Sequence, residues 1–280
     1  MDANKIKFLK LKAAMIRKHA LEAIQSANSG HIGGSFSIAE ILSVLYFDKL
    51  CIDPSNPRKP DRDRFVLSKG HCTPTAYAAL ALRGFFPLDD LKTFRRIDSK
   101  LSGHMEMKNV PGVDMSTGSL GQGLSVAVGM ALAGRLDKLN YKVYVITGDG
   151  EIQEGQIWEA AMAAGNYKLD NLRLFVDNNL LQLDGPVEEI MSVYPIEDKF
   201  NSFGWNTIAI NGNDVQEIAK ALDEADLVTG KPTAIIARTV KGSGVSVFEH
   251  QVKFHGGRPT DEEYAIAYRE LNAQIKGLEE

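Results

Sequence analysis

The stretch KVYVITGDGEIQEGQIWEAAMAAGNYKLDNLRLFVDNN, residues 142–179, decides the fold class. Its two apolar runs, KVYVITG and LRLFV, are short and rich in β-branched and aromatic residues, without the polar alternation of a half-exposed strand. They read as strands covered on both faces, and residues 154–167 between them read as a helix. A strand–helix–strand unit of this length is a right-handed crossover, so the two strands are parallel and their carboxyl ends share one edge of the sheet. Asp149-Gly150 follows the first strand, and Asn179 follows the second, 30 residues after Asp149. Ligands of open α/β sheets bind at that edge. A carboxylate and an amide oxygen are hard donors of the kind Mg2+ takes, with phosphate and water completing its octahedron. Gly150 would let a phosphate approach the backbone. Plain strand-end turns would use the same residue types, and spacing alone leaves both readings open.

Working outward, the same alternation continues. Residues 5–27 form an amphipathic helix, with Phe8, Leu11, Ile16, Ala20, Ala23 and Ile24 at helical spacing, and Asn28-Ser29-Gly30 ends it. Ser37 is expected to cap a helix SIAEILSVLYFDKL, with Glu40 as the reciprocal partner of a capping box. RFVLS is a strand and TPTAYAALALRG a buried helix. GSLGQG, residues 118–123, opens the apolar helix LSVAVGMALAGRL. Farther on come a helix over 187–203, strand WNTIAI, helix DVQEIAKALDEADLV, strand TAIIARTV and a last helix from about 260. The expectation is an α/β fold, a mostly parallel sheet with helices on both faces, in a single domain spanning 1–280.

Composition narrows the function. The chain has 280 residues, 36 acidic and 32 basic, a net charge of -4, and 44% hydrophobic residues. That balance argues against a nucleic-acid partner or a membrane-surface role, which would need a basic face. No apolar run approaches the roughly 20 residues of a membrane span. The first segment is charged throughout and lacks the apolar core of a signal peptide. Cys51 and Cys72 are too few for a disulfide framework or a zinc motif, so a cytoplasmic protein is expected.

Four of the six histidines stand beside glycine: His31 in SGHIGG, His71 in KGHC, His104 in SGHM and His255 in FHGG. Histidines in tight loops reach into clefts and exchange protons near neutral pH. Their spacing is not that of a zinc site. His19, in a helix, and His250, in a polar loop, read as structural or solvated. GSLGQG presents backbone N–H groups before a helix and suits an anion, but it lacks the dinucleotide spacing. Glu154 falls in the first turn of the helix after Asp149, where the helix dipole accounts for it. Trp158 and Met162 read as packing or interface residues, Lys241 as a solvated loop lysine, and Asp261-Glu262-Glu263 as a helix start.

Taken together, SGHIGG, SKGH, SGHME, STGSLGQGLSVAVGMA, the GDG…NN segment and TVKGSG…FHGG resemble, in order, the N-terminal half of the transketolases, over about residues 12–264. The resemblance implies a thiamine diphosphate-binding fold that holds the cofactor's diphosphate through Mg2+, with Ca2+ or Mn2+ able to stand in. It implies metal ligation by Asp149, Asn179 and the carbonyl of Leu181. Asp149, Gly150, Gly118, Ser119, Leu120, His71, Asn179 and His255 would contact the cofactor. His31, His104 and His255 would face the sugar and relay protons, and Glu154 would act at the dimer interface. Ile32 and Met105 stand where the family often has proline, and Leu180 where it has Gly or His, which leaves the sugar preference open.

The family's pyrimidine-binding domain, with its activating glutamate and several phosphate-binding arginines, has no counterpart in this sequence. The resemblance therefore implies one subunit of a split transketolase. It would assemble two-plus-two with a separate C-terminal subunit. The complex would transfer a two-carbon ketol unit between sugar phosphates, as in the pentose phosphate pathway. Alternatives are a related enzyme such as dihydroxyacetone synthase, a transketolase for an unusual pentose, or a non-catalytic scaffold.

Overall fold

The computed structural model describes all of residues 1–280. Five strands, β1 (Arg64–Leu67), β2 (Val143–Gly148), β3 (Leu172–Asn178), β4 (Asn206–Asn211) and β5 (Thr233–Arg238), pair in parallel in the order β1-β2-β3-β5-β4. The fully parallel sheet agrees with the expectation. All carboxyl ends therefore lie on one edge, where Lys69, Asp149, Asn179 and Thr239 follow their strands.

Side chains alternate along each strand between two cores. Phe65, Tyr144, Ile146, Phe175, Ile235 and Ala237 belong to a core of 49 buried residues, built with α1 (Ala3–Ala27), α3 (Ala39–Val44), α4 (Thr73–Arg83), α9 (Val215–Asp226) and α10 (Asp261–Glu279). Val143, Val145, Leu172, Leu174, Val176 and Ile236 belong to a core of 24, built with α5 (Gln122–Leu136), α6 (Gly155–Asn166) and α8 (Ile196–Ser202). The edge strand β4 is only partly buried, which fits its mixed sequence NTIAIN.

Three local readings are corrected. The first concerns Ser37, which does not start a helix. The run His31–Lys49 is α2 (Ile32–Ser37), a break at Ile38, α3 and then one π-helical turn over Leu45–Lys49. Ser37 Oγ lies 2.9 Å from Gly34 O and 2.7 Å from a carboxylate oxygen of Asp177. Glu40 instead holds Arg17 of α1 in a bidentate pair, 2.6 Å at both contacts. The capping box of this chain is at Thr260 and Glu263, where the acidic helix start was expected. The second correction is the helix over 187–203, which is two short helices, α7 (Val187–Met191) and α8, parted by Ser192–Pro195, because proline lacks the N–H a continuing helix needs. The third is Glu154, which is the N-cap of α6 rather than a residue of its first turn and makes no capping hydrogen bond, although an acid there still meets the positive end of the helix.

Gly165 of α6 packs directly on the turn before β4: a Cβ there would lie 1.8 Å from Phe203 O. Gly165→Ala is expected to destabilise the chain by about 3 kcal/mol, the upper range for overpacking. Gly129→Ala, on the exposed side of α5 with nothing within 4 Å, is expected to stabilise it by about 0.4–1 kcal/mol. Urea unfolding of the two variants checks the pair of signs.

Candidate active site

The site is built on a buried ion pair. Lys69, just beyond β1, and Asp177, near the end of β3, are 2% and 0% exposed. The Lys69 ammonium donates to the Asp177 carboxylate and to Gly34 O at 2.8 Å. Asp177 also accepts from Thr239 Oγ1, from Ser37 Oγ, and from Asn179 Nδ2 at 2.9 Å. Burial by itself would raise the Asp177 pKa, but Lys69 and the hydroxyl donors outweigh it and hold it below the ordinary value. Burial would likewise lower Lys69, yet the charge of Asp177 reverses this and raises it. Because Asn179 spends its N–H2 group on Asp177, its Oδ1 is left as the free face and accepts from Leu181 N at 3.1 Å.

Asp149 is buried at the end of β2, and its oxygens accept from Gly150 N at 2.8 Å and Leu180 N at 2.5 Å. No basic side chain bonds to it. Burial first, and the Asp177 charge second, push its pKa up to about 7. The Leu181 carbonyl accepts from Lys241 Nζ at 2.8 Å. One carboxylate short of positive charge, one amide oxygen and one backbone carbonyl thus converge from β2 and the loop after β3. No group of three His, Cys, Asp or Glu side chains is arranged to hold a metal. This hard oxygen set fits an ion that takes most of its remaining ligands from phosphate and water, as Mg2+ does.

A cavity of about 270 Å3 opens beside these oxygens. His71, His255, Leu120, Gly150, Glu154 and Lys241 line it, with Asp149, Asn179 and Leu181. The rings of His31, His71 and His255 form a triangle with centroids 5.0, 5.4 and 5.7 Å apart. Burial, then neighbouring positive charge, lowers their pKa values to about 4, 4 and 3 respectively. All three are neutral imidazoles at pH 7. His255 Nδ1 lies 3.0 Å from Lys241 Nζ; a lysine ammonium only donates, so Nδ1 accepts and Nε2 carries the hydrogen. His104 is exposed and sits against Gly118, where a Cβ would lie 2.9 Å from its ring. Gly118, Ser119, His31 and His104 lie outside the lining of the cavity itself, whereas Leu120 is on it. Glu154 is exposed at the rim. His19 contacts Glu22 within α1, and His250 is exposed and not on the cavity lining, though its N–H donates to Lys241 O at 3.0 Å.

Four residues central to this geometry are absent from the site residues expected from sequence. Lys241, read as solvated, is 1% exposed, because Gly33 of α2 packs on its stem. Glu151 is buried, and its carboxylate ties Ser68, Gly121 N and Gly148 N together, both N–H contacts at 3.0 Å, so it joins the GSLGQG loop to β1 and β2. Lys69 and Asp177 were visible as strand-end residues on the same edge, and that placement was the available signal. Of the residues read as packing, Trp158 stacks near Phe200 at 5.2 Å, and Met162 is exposed.

Comparison with known proteins follows the same outline. Residues 9–275 match the family model described as transketolase, thiamine diphosphate binding domain. The chain is 48% identical over 266 residues to the 6-deoxy-6-sulfo-D-fructose transketolase subunit SqwG of Clostridium sp. (strain MSTE9), covering 95% of this chain and 97% of that protein. It is 43% identical to an apulose-4-phosphate transketolase subunit of Phocaeicola vulgatus, covering 98% and 97%. The crystal structure of transketolase from Campylobacter jejuni superposes with a TM-score of 0.90 at 34% identity, over 99% of this chain and 46% of that chain. The chain thus spans nearly all of the subunit relatives and less than half of that longer transketolase. No helix is long and apolar enough to cross a membrane.

Two outcomes are expected. Lys69→Met leaves Asp177 buried without its cation and should cost about 3–5 kcal/mol in urea unfolding. The histidine triangle adds a pH dependence. The unfolded chain takes up these protons near pH 6.5 and the folded chain only near 3–4, so stability should fall as pH drops through that window. Asp149, raised to about 7, acts in the opposite sense but is one group against three. His71→Gln should flatten the decline between pH 7 and pH 5; an unchanged slope would refute this account.

Proposed function

This chain belongs to the transketolase family, in its thiamine diphosphate binding part, and on that basis we propose that it is one subunit of a split transketolase. The observation that carries the reading is the pair of relatives named as transketolase subunits, matched at 48% and 43% identity over 97% of each. A separate C-terminal subunit would supply the pyrimidine-binding domain and the activating glutamate, in a two-plus-two heterotetramer. This chain would be a single domain acting as half of the active site.

Asp149 and Asn179 side-chain oxygens and the Leu181 carbonyl would hold Mg2+. Gly150, Gly118, Ser119, Leu120, His71 and His255 would contact the cofactor, and the buried Lys241 adds a positive charge on the same side. Thiamine diphosphate, when bound, supplies the nucleophilic carbon for ketol transfer. The neutral histidines then have defined work. With Nδ1 engaged by Lys241, His255 presents a donor at Nε2 that suits a sugar carbonyl or hydroxyl oxygen. His31 and His104, as neutral imidazoles, can accept a proton at one nitrogen and donate at the other. Glu154, exposed at the rim, would meet the partner.

The transferred unit would move between a ketose and an aldose, each bearing an acidic terminal group. The relatives named for a sulfo-sugar and for apulose 4-phosphate support an acceptor or donor other than the common pentose phosphates. The test mixes this chain with its C-terminal partner, Mg2+ and thiamine diphosphate, and profiles xylulose 5-phosphate, fructose 6-phosphate and their 6-sulfo analogue as donors. Ketol transfer from at least one donor is expected, and light scattering should return two copies of each chain. Asp149→Ala should abolish Mg2+-dependent cofactor binding, measured by calorimetry. An inactive mixture that binds no cofactor would overturn the reading.

A further inference from the structure

The tripeptide Ser-Gly-His occurs twice, as Ser29-Gly30-His31 and Ser102-Gly103-His104, and both copies meet on one arginine. Arg95 Nη1 donates to Ser29 Oγ at 2.8 Å, and Nη2 lies 3.4 Å from Gly103 O. The guanidinium rests flat on Gly103, where a Cβ would lie 2.6 Å from Nε and 2.9 Å from Cζ. Arg95 itself has a φ of 60°, a left-handed conformation uncommon for a residue with a Cβ. Its N–H closes the loop by donating to Leu101 O at 2.9 Å. Its Nε is buried without a partner, and none of the ion pairs in the chain uses it. A strained backbone and an unneutralised cation are both costs, and strain of this kind persists where the surroundings over-determine it.

We propose that Arg95 is a positioning residue, which staples the two Ser-Gly-His loops together and so sets the spacing between His31 and His104. The inference rests on the reading of those two histidines as sugar-facing. A staple at this point is chemically suited to the task. The planar fork reaches the two loops from separate nitrogens in one fixed geometry, which the point-like ammonium of lysine does not reproduce. Its charge also faces both rings: behind burial, His31 is held down by His71, Arg95, His104 and Lys241, and His104 by Arg95 and His71. Arg95 is not among the groups acting on His71 or His255. Burial is the main cause of both depressions, and the Arg95 charge adds to it at each ring while its hydrogen bonds tie the two loops.

The experiment uses the full chain with nitrogen-15-labelled histidine, with Arg95→Ala and Gly103→Ala compared by NMR. Gly103→Ala retains the arginine but displaces its guanidinium, the movable end of a flexible side chain. Both variants should shift the ring signals of His31 and His104 and raise their titration toward 6.5, leaving His71 and His255 in place. The double variant should add nothing further. In the assembled enzyme, kcat should fall on the order of 10- to 100-fold for anionic and uncharged acceptors alike. Arg95→Lys should restore the titration but not kcat. Unmoved His31 and His104 signals would overturn the proposal, as would a loss confined to KM for anionic sugars, which would make Arg95 a substrate contact. A wild-type complex without ketol transfer would count against the transketolase reading, and the NMR comparison would still decide the role of Arg95.

Discussion

The Lys69–Asp177 pair is the constraint from which the site is assembled. An aspartate with no exposed surface, near the end of the central strand β3, needs a cation and several donors to remain charged. It recruits them from four separate segments: Lys69 after β1, Ser37 of α2, Thr239 after β5 and Asn179 in its own loop. Each donor fixes the segment that carries it. The amide of Asn179 can then face only one way, and the loop through Leu181 follows. Buried pairs of this kind are weak sources of net stability. Its importance here is geometric: the oxygens suited to a divalent ion are held by a partner that lies beneath them.

Around that floor the charges fall into a pattern. Asp149 is left without a basic partner while Lys69 is consumed by Asp177, so negative charge accumulates where a cation would be held. Lys241 stands beside these groups, bonded to the Leu181 carbonyl and to His255, and brings a positive charge next to the acidic floor. An anionic cofactor with its metal suits such a cleft.

Much of this was legible from residues 142–179. Parallel strands covered on both faces are uniformly apolar, so KVYVITG and LRLFV announce themselves, and the crossover places Asp149 and Asn179 on one edge. What sequence could not show was inward direction. In Asp177-Asn178-Asn179 all three residues are polar, and only pairing with Gly148 and Ala237 shows that Asp177 points inward beside Lys69. Ser37 and Glu40 have capping-box spacing, but their real partners are 140 and 23 residues away in the chain. Lys241 looked solvated because lysine in a glycine-rich loop normally is. Its burial depends on Gly33, more than 200 residues earlier, letting a helix come close.

The contrast between a buried floor and an exposed rim has a consequence for how such a protein can diverge. Asp177 satisfies four donors at once, so nearly any replacement there disturbs several segments together. Glu154, exposed at the rim, has few such obligations and can change alone. Under the proposed function, sugar preference could therefore drift while the proposed metal seat stayed the same. Innovation in this scaffold has a preferred address, and it is the side that faces out.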